Sequence, residues 1–142
     1  MHTMRQILDS KGRTIWSVKP ENTVYEAIQL MADRRVGALL VLRDSALAGI
    51  VSERDYAREV ILKGRASRDT RVEQIMSTRV ITASSDVRVR DALSLMSNNK
   101  IRHLPVVDDG AVTGIVSIGD LVKDVINDQQ ETIEQLESYI RG

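Results

Sequence analysis

Two short motifs hold the clearest chemical capacity of this chain: Ser52-Glu53-Arg54-Asp55 and Ser117-Ile118-Gly119-Asp120. Each stands where an apolar run, Leu47 to Val51 or Val112 to Val116, gives way to a helical pattern. A hydroxyl and a carboxylate three residues apart at a helix start cap free backbone amides reciprocally, with no ligand needed. The same carboxylates are candidate ligand groups. A third segment, Ile101-Arg102-His103-Leu104-Pro105, puts two cationic side chains at the start of a strand, where a surface Arg and a buried His are the plain alternative.

No catalytic constellation accompanies them. Of two histidines, His2 is expected at a mobile terminus and His103 stands alone, so no metal site is expected. No G-x-S-x-G, Walker or G-x-G-x-x-G motif occurs, and no pair of acids is placed for proton transfer, so no enzyme is expected. The absence of cysteine excludes disulfides, zinc–thiolate sites and thiol nucleophiles, and it fits a reducing compartment. The formal net charge is zero, which offers no overall field to nucleic acid or an anionic membrane. The start, MHTMRQ, lacks the apolar core of a signal peptide. The apolar runs fall far below the ~18 residues of a membrane span. A cytoplasmic protein is expected, without nucleic-acid or membrane partners.

The elements that must position these groups come in two copies. Sliding the sequence by 65 residues, Gly49 onto Gly114, aligns 43 positions without a gap, and thirteen are identical. A self-match this regular predicts one structural unit twice, with any site in one copy partnered in the other. Each unit opens on a short apolar stretch (Ile15 to Val18; Val80 to Ala83). A helix follows, with stripes Val24, Ala27, Ile28, Met31 and Val89, Ala92, Leu93, Met96. Thr23-x-x-Glu26 predicts a capping box for the first helix; Ser85 or Asp86 is expected to cap the second. Two strands around Arg43-Asp44-Ser45 or Asp108-Asp109-Gly110 come next, then a second helix, Glu53 to Leu62 or Ile118 to Ile126.

The expected fold class is therefore α/β, as two tandem β-α-β-β-α repeats. Residues 1–63 hold the first repeat with its N-terminal segment, 64–71 a solvated linker, 72–126 the second repeat and 127–142 a helical tail. An amphipathic piece precedes each repeat: Met4, Ile7 and Leu8 match Val72, Ile75 and Met76. In the tail, Ile133, Leu136 and Ile140 form a stripe that packs either on its own domain or on a second subunit.

The twin GIVS-x-x-D motifs and the IRHLPVVD strand, repeated over roughly residues 2–126, resemble a pair of CBS domains, the arrangement called a Bateman module. That resemblance implies a pseudo-two-fold module whose two clefts bind adenosine-containing ligands: AMP, ADP, ATP, NAD or S-adenosylmethionine. It implies a stand-alone, non-catalytic sensor that forms a homodimer and regulates another protein. The ligand is regulatory and no catalytic cofactor is expected. The alternative is a structural adaptor with vestigial clefts.

By the same resemblance the motif Asp holds the ribose hydroxyls and the Ser lies near the ribose and phosphate, while residues at the positions of Arg102 and His103 reach the phosphate. An Arg fork gives paired, charge-assisted bonds to phosphate oxygens. Cleft A then combines Ile50, Ser52, Arg54 and Asp55 with Ile81, Ile101, Arg102, His103 and Pro105. Cleft B combines Ile115, Ser117 and Asp120 with Trp16, Val36, Gly37 and Ala38. Gly37 and Ala38 stand where cleft A has Arg102 and His103, and Gly119 stands opposite Arg54, so cleft B is expected to be poor in cations. Trp16 is either core filler or an adenine neighbour.

Overall fold

The computed structural model describes residues 2–141; positions 1 and 142, the outer ends of the ranges expected above, lie outside the described residues. The chain runs α1 (Met4–Lys11), β1 (Ser17–Val18), α2 (Val24–Arg34), β2 (Ala38–Arg43), β3 (Ala46–Ser52), α3 (Glu53–Tyr56) and a π-helical segment (Ala57–Ile61). It continues through a 3-10 turn (Val72–Gln74), α4 (Val89–Asn99), β4 (His103–Asp108), β5 (Ala111–Ser117) and α5 (Ile118–Arg141).

The first repeat shows the expected strand order in full: β1 lies parallel to β2, and β2 antiparallel to β3. In the second, β4 and β5 pair antiparallel, but the opening strand shrinks to a single parallel bridge between Ala83 and Val106. Pro105 explains the loss. Its counterpart Leu40 donates its amide to the Trp16 carbonyl at 3.4 Å, and proline has no amide to donate. Both hairpins close with two residues at positive φ, Asp44 and Ser45 (50° and 74°) or Asp109 and Gly110 (50° and 79°). Such turns match the twist of the strands they join.

Helix α2 starts on the expected box, with Thr23 Oγ1 accepting from the Glu26 amide and the Glu26 side chain accepting from the Thr23 amide. Helix α4 does not start at Ser85 or Asp86. Its N-cap is Arg88, which makes no side-chain cap. Ser85 is instead buried, its amide donating to Asp108 Oδ1 at 3.0 Å. The first amides of both helices are met by backbone from elsewhere: Val24 N–H donates to the Thr70 carbonyl and Val89 N–H to the His2 carbonyl. Nor is the linker a free tether. Thr70 is buried, the Ser67 carbonyl accepts from Tyr25 N–H, and the Arg68 guanidinium lies 4.3 Å from the centre of the Tyr25 ring.

Packing divides the chain differently from the repeat boundaries. One unit joins the segment up to Thr14 to everything from Ile81 on; the other is Ile15–Val80. Met4, Ile7 and Leu8 therefore share a core with Val89, Ala92, Met96, Leu104, Val106, Val116 and Leu121. Val72 and Ile75 join Val24, Ala27, Met31, Leu39, Val41 and Val51. Each repeat is completed by the amphipathic piece that precedes the other. The shared strand glycines follow from this. A Cβ on Gly114 would lie 2.6 Å from Leu8 Cδ2, and one on Gly49 would lie 2.7 Å from the Ser77 carbonyl oxygen and 2.8 Å from Met76 Sδ.

The tail is no separate element. Helix α5 runs unbroken for 24 residues. Its far half is exposed, with Ile133 48%, Leu136 57% and Ile140 82% accessible, so the stripe does not pack on its own unit.

Leu8 is fully buried, so Leu8→Ala should cost about 2–5 kcal/mol by leaving a cavity. Native-state hydrogen exchange should show protection falling in α4, β4 and β5, residues far along the chain, while β2 and β3 keep theirs. Loss confined to β2 and β3 would refute the assignment of α1 to the second repeat.

Candidate functional site

Both Ser-x-x-Asp motifs form capping boxes where a strand ends. In the first, Asp55 Oδ2 accepts from the Ser52 amide at 2.9 Å and from Ser52 Oγ at 3.0 Å, and Ser52 Oγ accepts from the Asp55 amide at 3.2 Å. In the second, Asp120 Oδ2 accepts from the Ser117 amide at 2.8 Å, and Ser117 Oγ accepts from the Asp120 amide at 3.2 Å. The capping role is thus real in both copies. It fixes each carboxylate at the C-terminal end of its strand, on a half-buried residue.

A second tie holds each motif to its own sheet. Glu53 N–H donates to the Gly37 carbonyl at 3.0 Å, and Ile118 N–H to the Arg102 carbonyl at 2.9 Å. The segments Val36-Gly37-Ala38 and Ile101-Arg102-His103 are thereby fastened beside the Ser–Asp motif of the same repeat. Arg102 is exposed, whereas His103 is half-buried and partnered. Pro105 and Ala38 are buried; Ile50, Ile81, Ile101, Val36 and Ile115 are half-buried. Trp16 is half-buried against the core of its unit, with the Arg34 guanidinium 4.2 Å from the ring centre. Arg54 is exposed. Of the expected site residues, Trp16, Val36, Gly37, Ala38, Ile50, Ser52, Arg54 and Asp55 belong to one unit and the rest to the other.

The two copies differ at one point that sequence reasoning missed. In the first repeat, β3 is edged by backbone: Ile50 and Ser77 exchange amide-to-carbonyl bonds of 3.0 and 2.9 Å. In the second, the matching carbonyl of Ile115 accepts instead from Lys11 Nζ at 2.9 Å, and the same ammonium lies 2.7 Å from Asp120 Oδ2. The expectation that the Asp120 side is poor in cations is therefore corrected. Lys11 escaped notice because it precedes the first repeat in sequence while α1 folds onto the second. Burial alone would raise the Asp120 carboxyl, but the Lys11 ammonium and the Ser117 amide outweigh it and hold the carboxyl below its ordinary range. His2, expected to be mobile, is likewise held, with its Nδ1 2.6 Å from Asp124 Oδ1 on α5.

Tandem α/β repeats, each with a capped Asp at the end of its hairpin, define a paired-repeat protein. The chain belongs to the CBS-domain family, whose family model, "CBS domain", matches residues 12–62 and 72–127. The mitochondrial CBS domain-containing protein CBSX3 of Arabidopsis thaliana is 39% identical over 99% of this chain and 72% of its own length. YhcV of Bacillus subtilis is 35% identical over 83% of this chain and 84% of its own. Among solved structures, a putative signal-transduction protein with CBS domains from Burkholderia ambifaria superposes with a TM-score of 0.87 at 49% identity, covering 89% of this chain and 96% of that one. The CBS domain pair of protein MJ0100, solved with 5-methylthioadenosine and S-adenosyl-L-methionine, superposes at 0.80 with 25% identity, covering 90% and 98%. The fold is thus a tandem CBS pair, a Bateman module. CBS-domain proteins are generally regulatory and non-catalytic, and their pairs commonly bind adenosine ligands. Among the described residues, no helix is long and apolar enough to cross a membrane.

Because the folded Asp120 carboxyl titrates below the unfolded value of about 3.9, its pairing stabilises the fold fully above about pH 4. That stability is lost as pH falls through the lower, folded-state value. Lys11→Met should cost about 0.5–1 kcal/mol at pH 7, as for a partly exposed pair, and progressively less as pH falls below about 4. Urea unfolding at pH 7 and pH 3 checks this; an equal difference at both would show that the pair does not carry the effect.

Proposed function

We propose that this protein is a non-catalytic adenine-nucleotide sensor, with Asp55 and Asp120 each gripping the ribose diol of a bound adenosine moiety. The observation that supports this most is the twin capping box. Each box orients a carboxylate that accepts through Oδ2 at the end of its strand. A carboxylate on a vicinal diol is the arrangement that dinucleotide sites use. The relative solved with methylthioadenosine and S-adenosylmethionine makes adenosine the natural ligand class.

Within that reading, cleft A takes AMP or a similar phosphorylated ligand. Arg54, Arg102 and His103 supply its phosphate contacts, beside Ile50, Ser52, Ile81, Ile101 and Pro105. Cleft B takes an adenosine moiety, with Trp16, Val36, Gly37, Ala38, Ile115 and Ser117 around it and Lys11 as its added cation; ADP, ATP and NAD fall within the same class. We place the sensor in the cytoplasm, as a homodimer acting on a separate regulated protein. The exposed stripe Ile133, Leu136 and Ile140 on α5 favours the dimer.

Losing one charge-assisted ribose contact costs roughly 1.5–3 kcal/mol, about ten- to a hundredfold in affinity. Calorimetry with AMP should show Asp55→Ala weakening one site and Asp120→Ala the other. On Asp120→Ala protein, Arg102→Ala should remove most of the preference for AMP over adenosine. Unchanged affinity and stoichiometry in both single Asp variants would leave the adaptor reading, in which the clefts are vestigial and a partner protein binds the dimer surface.

The dimer is tested separately. Light scattering at micromolar concentration should give twice the chain mass, and Leu136→Glu should lower it. A monomeric wild type would remove the dimer from the proposal without touching the ligand reading.

A further inference from the structure

Three acids recur at four-residue intervals along α5: Asp120, Asp124 and Asp128. That spacing puts them on one helical face. Asp120 receives Lys11, from the end of α1. The other two meet His2, which stands just before that helix. His2 Nδ1 lies 2.6 Å from Asp124 Oδ1 and 4.0 Å from Asp128 Oδ1, and one ligand atom from each of the three residues falls within 4.8 Å of the others.

We propose that His2, Asp124 and Asp128 bind a divalent transition-metal ion, with zinc as its representative, and that the ion fastens the N-terminal segment to α5. The second observation behind this is the state of Asp124. Its side chain is only 12% exposed, and its Oδ2 is fully buried with no hydrogen-bond partner among the described residues. A buried carboxylate oxygen left unpaired is costly, and an added cation offsets that cost. His2 and Asp128 remain 45% and 33% exposed, which leaves the ion a path from solvent.

The imidazole is positioned in advance. The His2 carbonyl accepts from Val89 N–H at 3.0 Å, Thr3 bridges to Arg88, and Met4 N–H donates to the Val87 carbonyl at 2.8 Å. A ligand whose backbone is already held in place loses little freedom when it binds. One imidazole and two carboxylates suit zinc and its neighbours, with water completing the shell, and suit calcium or magnesium poorly. Ligand atoms about 2.0–2.2 Å from one ion cannot keep a mutual hydrogen bond. The His2–Asp124 contact therefore opens by a few tenths of an ångström on binding.

The full chain, treated with a chelator and dialysed, should be titrated with zinc chloride in a non-coordinating buffer at pH 7.5. One zinc per chain should bind, tighter than roughly 100 μM, and raise the melting temperature, while magnesium and calcium should do neither. His2→Ala and Asp128→Asn change partly exposed side chains, and circular dichroism will show that they fold. Each should weaken zinc binding at least ten- to a hundredfold, since removing a ligand costs no less than removing an outer-shell partner. Hydrogen exchange should show residues 2–8 gaining protection with zinc in the wild type only. No binding below 1 mM, or wild-type affinity in both variants, overturns the site.

Discussion

The fold turns on a close approach at two strand glycines. Leu8 lies over Gly114 and Met76 over Gly49, nearer than any side chain at those positions would allow. A two-stranded hairpin by itself is marginally stable at best in water, and its exposed apolar face needs cover. The amphipathic piece seated over each glycine supplies the missing cover, filling each core with fully buried side chains such as Met4, Leu8 and Val72. Because each piece precedes the other repeat in the chain, neither unit is complete until residues far apart in sequence have met.

That exchange also sets the chemistry. At the first repeat the covering segment ends in Ser77, whose backbone pairs with Ile50. At the second, α1 runs on to Lys11, whose ammonium takes the equivalent carbonyl and the Asp120 carboxylate together. Two repeats with the same motif thus carry different charge beside it, through a difference of a few residues in how a covering segment ends. The same α1 brings His2 to Asp124. Helix α5 therefore receives cationic or imidazole groups along one face, while Ile133, Leu136 and Ile140 lie exposed further along it.

Much of this is legible in the amino-acid sequence. A self-match at one offset requires a repeated unit. The stripes at helical spacing bury Val24, Ala27 and Met31, and Val89, Ala92 and Met96, as expected. Ser–Asp and Thr–Glu pairs cap their helices, because capping depends on residues three apart and on nothing distant. Where sequence reasoning goes wrong, a distant group intervenes. Helix α4 needs no cap at Ser85 because the His2 carbonyl meets its first amide and Asp108 claims the Ser85 amide. The second opening strand is shortened because Pro105 denies it a bond.

The sequence by itself determined the local grammar: which residues begin helices, where hairpins turn, which side chains face inward, and that two carboxylates stand at strand ends. These are set by interactions between residues a few positions apart, whose geometry the backbone dictates. Tertiary structure decided which segment covers which hairpin, and so where Lys11 and His2 act. No periodicity encodes that choice, because Met4–Leu8 and Val72–Met76 present the same apolar pattern to either repeat. It emerges from the assembled core, where long apolar side chains fit the space over each glycine and backbone groups of the covering segment pair with the repeat beneath.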